Sequence, residues 1–525
     1  MKSRARISLI VVVVIAILAG QHFRHKNASP LHDEPASAST AALLAPVGPA
    51  PERTWQVGSL TLKPCSLGQP NSGMSTAAWC APLDVPEDRA NPNGRHIKLN
   101  LALLRSSAQA PKSDPVVMLA GGPGQAATES YPAVAAAFAP LLAHRNVLLI
   151  DQRGTGHSHP LQCGGEEKGA GGIDDNSSSY DEKALRKETQ ACLDKVSRDA
   201  DPRFYTTTDA IADLEDARKA LGSPQFNLIG ISYGTRVAQR YAATHPEGVR
   251  SIVLDGVAPN SLVLGEEFAV NLDAALKAQF ARCTADKACH DRFGDTYQTL
   301  YQLRDALRAN PHQVSFRDPQ TYGSVKRNLN EFALATVVRM FAYGPETAAL
   351  LPLSIDAAAH GDVGPLLGQA KLLTGDLGDT MDGGMQYSVI CSEDADLLTS
   401  RPQDADTILG DKMIEAFKTA CSIWPHGTRP AGFHDPLKSD KPALLMSGEY
   451  DPVTPPRYGD EVLKGLSNAR HLVLKGQGHN VIGRGCMPRV VDDFIDKLSP
   501  KSLDTACLER VGPIPVFVGF NGATP

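Results

Sequence analysis

The chain has 525 residues, 42% of them hydrophobic and 21% charged, an ordinary globular composition with length for a large core. Its 58 acidic residues against 52 basic ones give a net charge of −6 with no long run of one sign. That balance excludes the positive footprint of a nucleic-acid binder and offers no support for a membrane-surface role of the body of the protein.

At the N-terminus, Lys2, Arg4 and Arg6 precede an apolar run over residues 7–19, the basic-then-apolar order of an export signal. The run is shorter than the ~20 residues that span a bilayer comfortably. No small-x-small triplet follows it closely, the nearest being Ala36-Ser37-Ala38. Residues 1–20 are therefore expected to be a cleaved signal peptide, with an uncleaved N-terminal anchor as the alternative and the only expected membrane contact. Residues 21–52, rich in Ala, Pro and Ser, read as a disordered linker. The expected destination is periplasmic or secreted.

Ten cysteines agree with export. They fall into successive neighbours: Cys65 and Cys80, Cys163 and Cys192, Cys283 and Cys289, Cys391 and Cys421, Cys486 and Cys507. An even count in an exported chain reads as a disulfide set, and sequential pairing is a hypothesis of locality. No Cys-x-x-Cys occurs, so zinc or a redox dithiol is the weaker reading, and neither metal nor cofactor is expected.

Short apolar runs then alternate with helical patterns. Val116-Val117-Met118-Leu119 runs into Ala120-Gly121-Gly122-Pro123-Gly124, and Val147-Leu148-Leu149-Ile150 into Asp151-Gln152-Arg153-Gly154. A helix capped by Thr208 should carry Ile211, Leu214, Ala217 and Leu221 on one face and stop at Gly222. Phe226 to Ile229 leads into the Gly230 turn, followed by a helix from Tyr233 to about Thr244. Ile252-Val253-Leu254 runs into Asp255-Gly256, and near the C-terminus Ala443 to Met446 and His471 to Leu474 repeat the pattern. Apolar at consecutive positions, these are strands buried on both faces, and their alternation with helices implies parallel βαβ units. The alternation fades over residues 261–385, where segments such as Phe332 to Phe341 look helical. The expected organisation is a core over 53–260, a helical cap over 261–385 and the rest of the core over 386–525, with the strand pattern resuming near Met385.

Gly230-Ile231-Ser232-Tyr233-Gly234 is a G-x-S-x-G match after a strand and before a helix. A sharp turn there lifts a serine hydroxyl out of the sheet, and glycines permit the crowded backbone. Downstream, Gly448-Glu449-Tyr450-Asp451 and Gly476-Gln477-Gly478-His479 each follow a strand. The order Ser232, Asp451, His479 is that of a catalytic triad on an α/β-hydrolase fold, a mostly parallel doubly wound sheet, here with an inserted helical cap. Sites on such sheets lie at the carboxyl ends of strands. The glycine loop would supply an oxyanion donor, the N–H of Gly122, beside that of Tyr233.

Together with Gly121-Gly122-Pro123-Gly124, Asp151-Gln152-Arg153-Gly154-Thr155-Gly156-His157-Ser158 and Asp451-Pro452-Val453-Thr454-Pro455, the serine motif resembles the prolyl iminopeptidase and tripeptidyl aminopeptidase family of serine peptidases. The resemblance spans roughly residues 60–515, and the stretch from Gly485-Cys486 to Cys507-Leu508 is similar to the secreted tripeptidyl aminopeptidase branch. Ala120 departs from the histidine that prolyl iminopeptidases usually carry before the glycines. The resemblance implies an exopeptidase acting on short peptides with free N-termini, with carboxylates near the cap holding the substrate's amine. Glu393 is the matching acid and Asp394 its neighbour, although acids also sit well at a helix start. Arg153 reads as a turn anchor. Two alternatives stay open: an esterase or amidase for small non-peptide substrates, and a non-catalytic binding protein on the same fold.

Overall fold

Consecutive apolar residues in an extended chain point to opposite faces, so a run such as Leu228-Ile229 demands cover on both sides. The computed structural model, which describes residues 53–68, 73–163, 181–319, 321–378, 381–519 and 521–523, provides it. The expectations for residues 1–20 and 21–52 lie outside the described residues. A ten-stranded sheet runs in the order β1 (Trp55–Val57), β2 (Leu60–Leu67), β3 (Thr76–Pro86), β4 (His96–Leu104), β6 (Arg145–Ile150), β5 (Lys112–Leu119), β7 (Phe226–Ile231), β8 (Val249–Asp255), β11 (Ala443–Gly448), β12 (Ala469–Leu474). The strands from β1 to β6 in that order pair antiparallel, and those from β6 through β12 pair parallel.

Alternate residues of each parallel strand enter two separate cores. Val117, Leu228, Ile252 and Leu445 pack on one face against the helices Thr207–Ala220 and Tyr233–Thr244. Val116, Ile229, Val253 and Leu444 pack on the other against Ala127–Leu142 and Met487–Lys497. The first of these helices begins two residues earlier than expected, because Thr206 rather than Thr208 is the cap and pairs with Asp209 in a capping box.

Between β8 and β11 the chain leaves the sheet. Helices from Phe268–Ala285 to Gly364–Gly378 enclose a third core around Leu276, Phe280, Val338 and Phe341, together with a hairpin of β9 (His312–Arg317) and β10 (Ser324–Leu329). The strand pattern does not resume near Met385. That residue lies in the helix Gly383–Glu393, where Met385, Val389 and Ile390 are spaced by the helical period and face the core. The next sheet strand is β11, beginning at Ala443. Among the described residues no helix is long and apolar enough to cross a membrane.

All ten cysteines are paired, each with its sequence neighbour: Cys65–Cys80, Cys163–Cys192, Cys283–Cys289, Cys391–Cys421 and Cys486–Cys507. The set fits an exported protein. Cys391–Cys421 ties the helix Gly383–Glu393 to Lys412–Cys421 across 30 residues. On the chain-entropy model that closure contributes about 3–4 kcal/mol. Urea unfolding of the Cys391→Ser, Cys421→Ser double variant should show a loss of that size. An unchanged midpoint would mean that packing alone holds the two helices together.

Candidate active site

Ser232, Asp451 and His479 each follow a parallel strand, at the carboxyl ends of β7, β11 and β12 respectively. Ser232 has φ 55° and ψ −122°, a left-handed conformation that a non-glycine residue holds only under constraint. The flanking glycines explain the turn. A Cβ on Gly230 would lie 2.5 Å from the Gly234 carbonyl oxygen, and one on Gly234 would lie 2.2 Å from that of Leu119. The Ser232 N–H donates to the Asp255 carbonyl at 2.9 Å, anchoring the turn to β8.

His479 Nδ1 lies 2.7 Å from Asp451 Oδ2. The carboxylate also accepts the N–H groups of Val453 and Thr454, both at 2.8 Å, and the Thr454 hydroxyl at 2.9 Å. Burial would push the Asp451 carboxyl up. The His479 charge and hydrogen bond, with the two N–H groups, hold it below its ordinary value instead. Burial likewise would lower His479, yet Asp451 raises its pKa above the usual value. The pair is thus built to carry a proton on the imidazole. No hydrogen bond joins the Ser232 hydroxyl to His479 in this structure; both border the same turn, Ser232 through the Asp255 carbonyl and the imidazole through Gly256. Such bonds are often loose until substrate is bound.

The glycine loop lies against the serine. A Cβ on Gly121 would come 3.1 Å from that of Ser232, and Gly122 and Gly124 have φ of 104° and 111°. The Tyr233 N–H opens its helix and so has no intrahelical acceptor. Among the described residues no backbone oxygen accepts the Gly122 N–H.

A family model described as alpha/beta hydrolase fold matches residues 114–484. The chain belongs to that family. This α/β-hydrolase is 24% identical over 458 residues to the serine protease Hip1 of Mycobacterium tuberculosis, covering 82% of this chain and 87% of that protein. It is 25% identical over 478 residues to the tripeptidyl aminopeptidase of Streptomyces coelicolor, covering 83% and 84%. A solved structure of proline iminopeptidase from Mycobacterium smegmatis aligns with TM-score 0.36 and 17% identity, covering 79% of this chain and 98% of that one.

Glu393 and Asp394, expected to hold a substrate's amine, face a buried arginine in this structure. Both are buried, 1% and 0% exposed. Arg236 pairs with Asp394 at 2.9 Å and with Glu393 at 3.7 Å. Glu393 also accepts the Thr207 N–H at 2.6 Å and its hydroxyl at 2.9 Å. That hydroxyl meets the Tyr233 phenol at 2.6 Å, so the pair braces the helix after Ser232 from behind. Burial, with Asp394 adding to it and Arg236 opposing, lifts Glu393 to about 7. The sequence singled out both acids but could not show Arg236, which lies 158 residues before Asp394.

Arg153 does anchor its turn, through two bonds to Asp213 at 2.7 and 2.6 Å. Two further residues escaped the sequence reading, and a third, Thr454, stood in a quoted motif without a role of its own. Asp382 donates its N–H to the Gly124 carbonyl at 2.9 Å and accepts that of Gly156 at 2.9 Å, bracing the glycine loop. Tyr343, on the inserted region, accepts the His479 N–H at 2.7 Å and sets its ring edge-on to the imidazole at 5.2 Å. Thr454 bonds Asp451, and an Asp followed three residues later by Thr was a legible turn signal.

Two tests follow. Asp451→Asn should lower kcat by about 10⁴-fold, because the imidazole loses its tautomer and its counter-charge. In the wild type the acid limb of kcat/KM should lie above the ordinary histidine value of about 6.5, since activity appears as His479 loses its proton. An acid limb below 6 would contradict the charge pairing described. Arg236→Met leaves two buried carboxylates uncompensated and should cost about 3–5 kcal/mol of stability, read as a fall in the urea midpoint.

Proposed function

We propose that this α/β-hydrolase is a serine exopeptidase that cleaves near the free N-terminus of short peptides through an acyl-enzyme on Ser232. The observation that carries the reading is the buried Asp451–His479 pair beside a strained serine at the carboxyl edge of a parallel sheet. The Ser232 hydroxyl attacks the scissile carbonyl while His479 takes its proton, and His479 then delivers that proton to the leaving amine. Asp451 keeps Nδ1 protonated and balances the imidazolium. The N–H groups of Gly122 and Tyr233 receive the developing oxyanion.

Peptide substrates are supported by two relatives named as a serine protease and a tripeptidyl aminopeptidase, each matched over more than four fifths of both chains. Residues of the region between β8 and β11, which we read as a cap, would restrict entry to chain ends. The amine is assigned to Glu129 rather than to the acids behind the site. Glu129 sits in the first turn of the helix Ala127–Leu142, directly after the glycine loop. Among the described residues it has no hydrogen-bond or ion-pair partner, and burial, with the charges of Asp151 and Asp382, lifts it to about 7. A carboxyl so raised gains most from an incoming cation. Export to the periplasm or the medium, by a signal over residues 1–20, is part of the same reading.

Fluorogenic mono-, di- and tripeptides with free amines, and their N-acetyl counterparts, test it. Acetylation removes the charge and adds bulk, so kcat/KM should fall by roughly tenfold or more. Glu129→Gln should narrow that ratio by slowing only the free-amine substrate. Equal turnover of both forms by the wild type would instead make the protein an esterase or amidase.

A further inference from the structure

One buried carboxylate beside the site has no part in the triad. Asp255 ends β8 and is fully buried. Its Oδ1 accepts the Val481 N–H at 2.8 Å, and its Oδ2 accepts the N–H groups of Val481 at 3.0 Å and Ile482 at 2.9 Å. These are the second and third residues after His479. Between His479 and Val481, Asn480 has φ 68°, a left-handed conformation that a non-glycine residue keeps only where its neighbours are held. The Asp255 backbone carbonyl accepts the Ser232 N–H at 2.9 Å. The next residue is Gly256, where a Cβ would lie 2.9 Å from His479 Cε1 and 3.0 Å from Asn480 Oδ1. Side chain, carbonyl and following glycine therefore each touch a part of the machinery.

We propose that Asp255 is a positioning residue: it sets the turn bearing His479 against the turn bearing Ser232, and its negative charge supports the imidazolium that forms when Ser232 is deprotonated.

The chemistry of the contacts favours this over a plain turn anchor. A turn can be held by any neutral acceptor, whereas a carboxylate held by backbone N–H groups also acts, when ionised, through a low-dielectric setting that screens its field little. The ionisable groups facing it are His479 and Asp451. Burial lifts Asp255 to about 6, against the pull of the Val481 and Ile482 N–H groups. Its charge is among the influences that raise His479. Asp451 orients the imidazole through Nδ1; Asp255 fixes where the ring stands by holding the backbone behind it.

The proposal rests on the triad reading and not on the choice of substrate, so its test uses an activated p-nitrophenyl ester and a fluorophosphonate that labels Ser232. In Asp255→Asn the size is kept, the charge is lost, and the amide NH2 meets backbone N–H groups that need an acceptor. The kcat for the ester should fall by about 10–100-fold with KM little changed, the effect of a displaced reacting group. The acid limb of kcat/KM should move to lower pH, because an anion that raised His479 is gone. A merely structural residue would leave that limb in place. Wild-type kcat, or a reduced kcat with an unmoved acid limb, would overturn the proposal.

Asp255→Glu covers the case in which the Asn variant does not fold. It keeps the charge but displaces it by a methylene, so kcat should fall while the acid limb stays near that of the wild type. A folded Glu variant with full kcat would overturn positioning. Failure of the fluorophosphonate to label wild-type Ser232 would instead overturn the triad reading, a result distinct from either variant's.

Discussion

A strand buried on both faces has little freedom at its end, and the conformation of Ser232 is the consequence on which the active site depends. β7 must leave the sheet, deliver a hydroxyl above it and enter a helix within one residue. That requires φ 55° at a serine, a strained backbone that costs about 1–3 kcal/mol. The strain persists because the surroundings over-determine it. Gly230 and Gly234 let the helix lie on the strand, the Ser232 carbonyl accepts the Thr235 N–H at 2.9 Å, and the Asp255 carbonyl takes the Ser232 N–H. The Thr235 hydroxyl in turn accepts the Ala258 N–H at 2.8 Å, tying the same turn to the chain beyond β8.

Charge then secures what packing alone would leave adjustable. Arg236, Glu393 and Asp394 are all buried, and such a group is stable only with every member present. It joins the helix behind Ser232 to the end of the helix Gly383–Glu393, and through Thr207 to the start of a third helix. Asp382, at the other end of Gly383–Glu393, holds the glycine loop. One helix thus braces the serine turn at its C-terminal end and the glycine loop at its N-terminal end. The Cys391–Cys421 bridge fastens that helix in turn, which gives a disulfide remote from the chemistry a direct path to it.

The region between β8 and β11 is joined to His479 as closely as the sheet is. Gly478 has no room for a side chain, since a Cβ there would lie 2.2 Å from the Tyr343 carbonyl oxygen, the acceptor of the His479 N–H. The C-terminal stretch adds a second tie. Gln477 donates to the Gly512 carbonyl at 2.9 Å, and five residues later the Phe517 N–H reaches Ala349 on the inserted region at 3.0 Å. His479 therefore stands where three parts of the chain meet, and displacement of any of them reaches the imidazole.

Much of this was legible along the chain, and the boundary is physical. The parallel strands could be read because burial on both faces leaves consecutive apolar residues, a pattern that needs no knowledge of the neighbours. The serine turn, the glycine loop and the disulfide pairs were likewise local: short spacings, glycines where backbone must crowd, cysteines adjacent in order. The helix at Met385 was misread as a strand because four apolar or small residues in succession fit either period until length decides. Glu393 and Asp394 were found but not their contact with Arg236, since a carboxylate reads the same whether it faces solvent, substrate or a buried arginine. Asp255 looked like an ordinary strand end, and Tyr343 carried no signal at all. Local sequence reports what a residue can do. Which atoms lie opposite it, across the 226 residues between Asp255 and Val481 for instance, is decided only when the strands pack, because hydrogen bonds and charge act over ångströms of space and not along the chain.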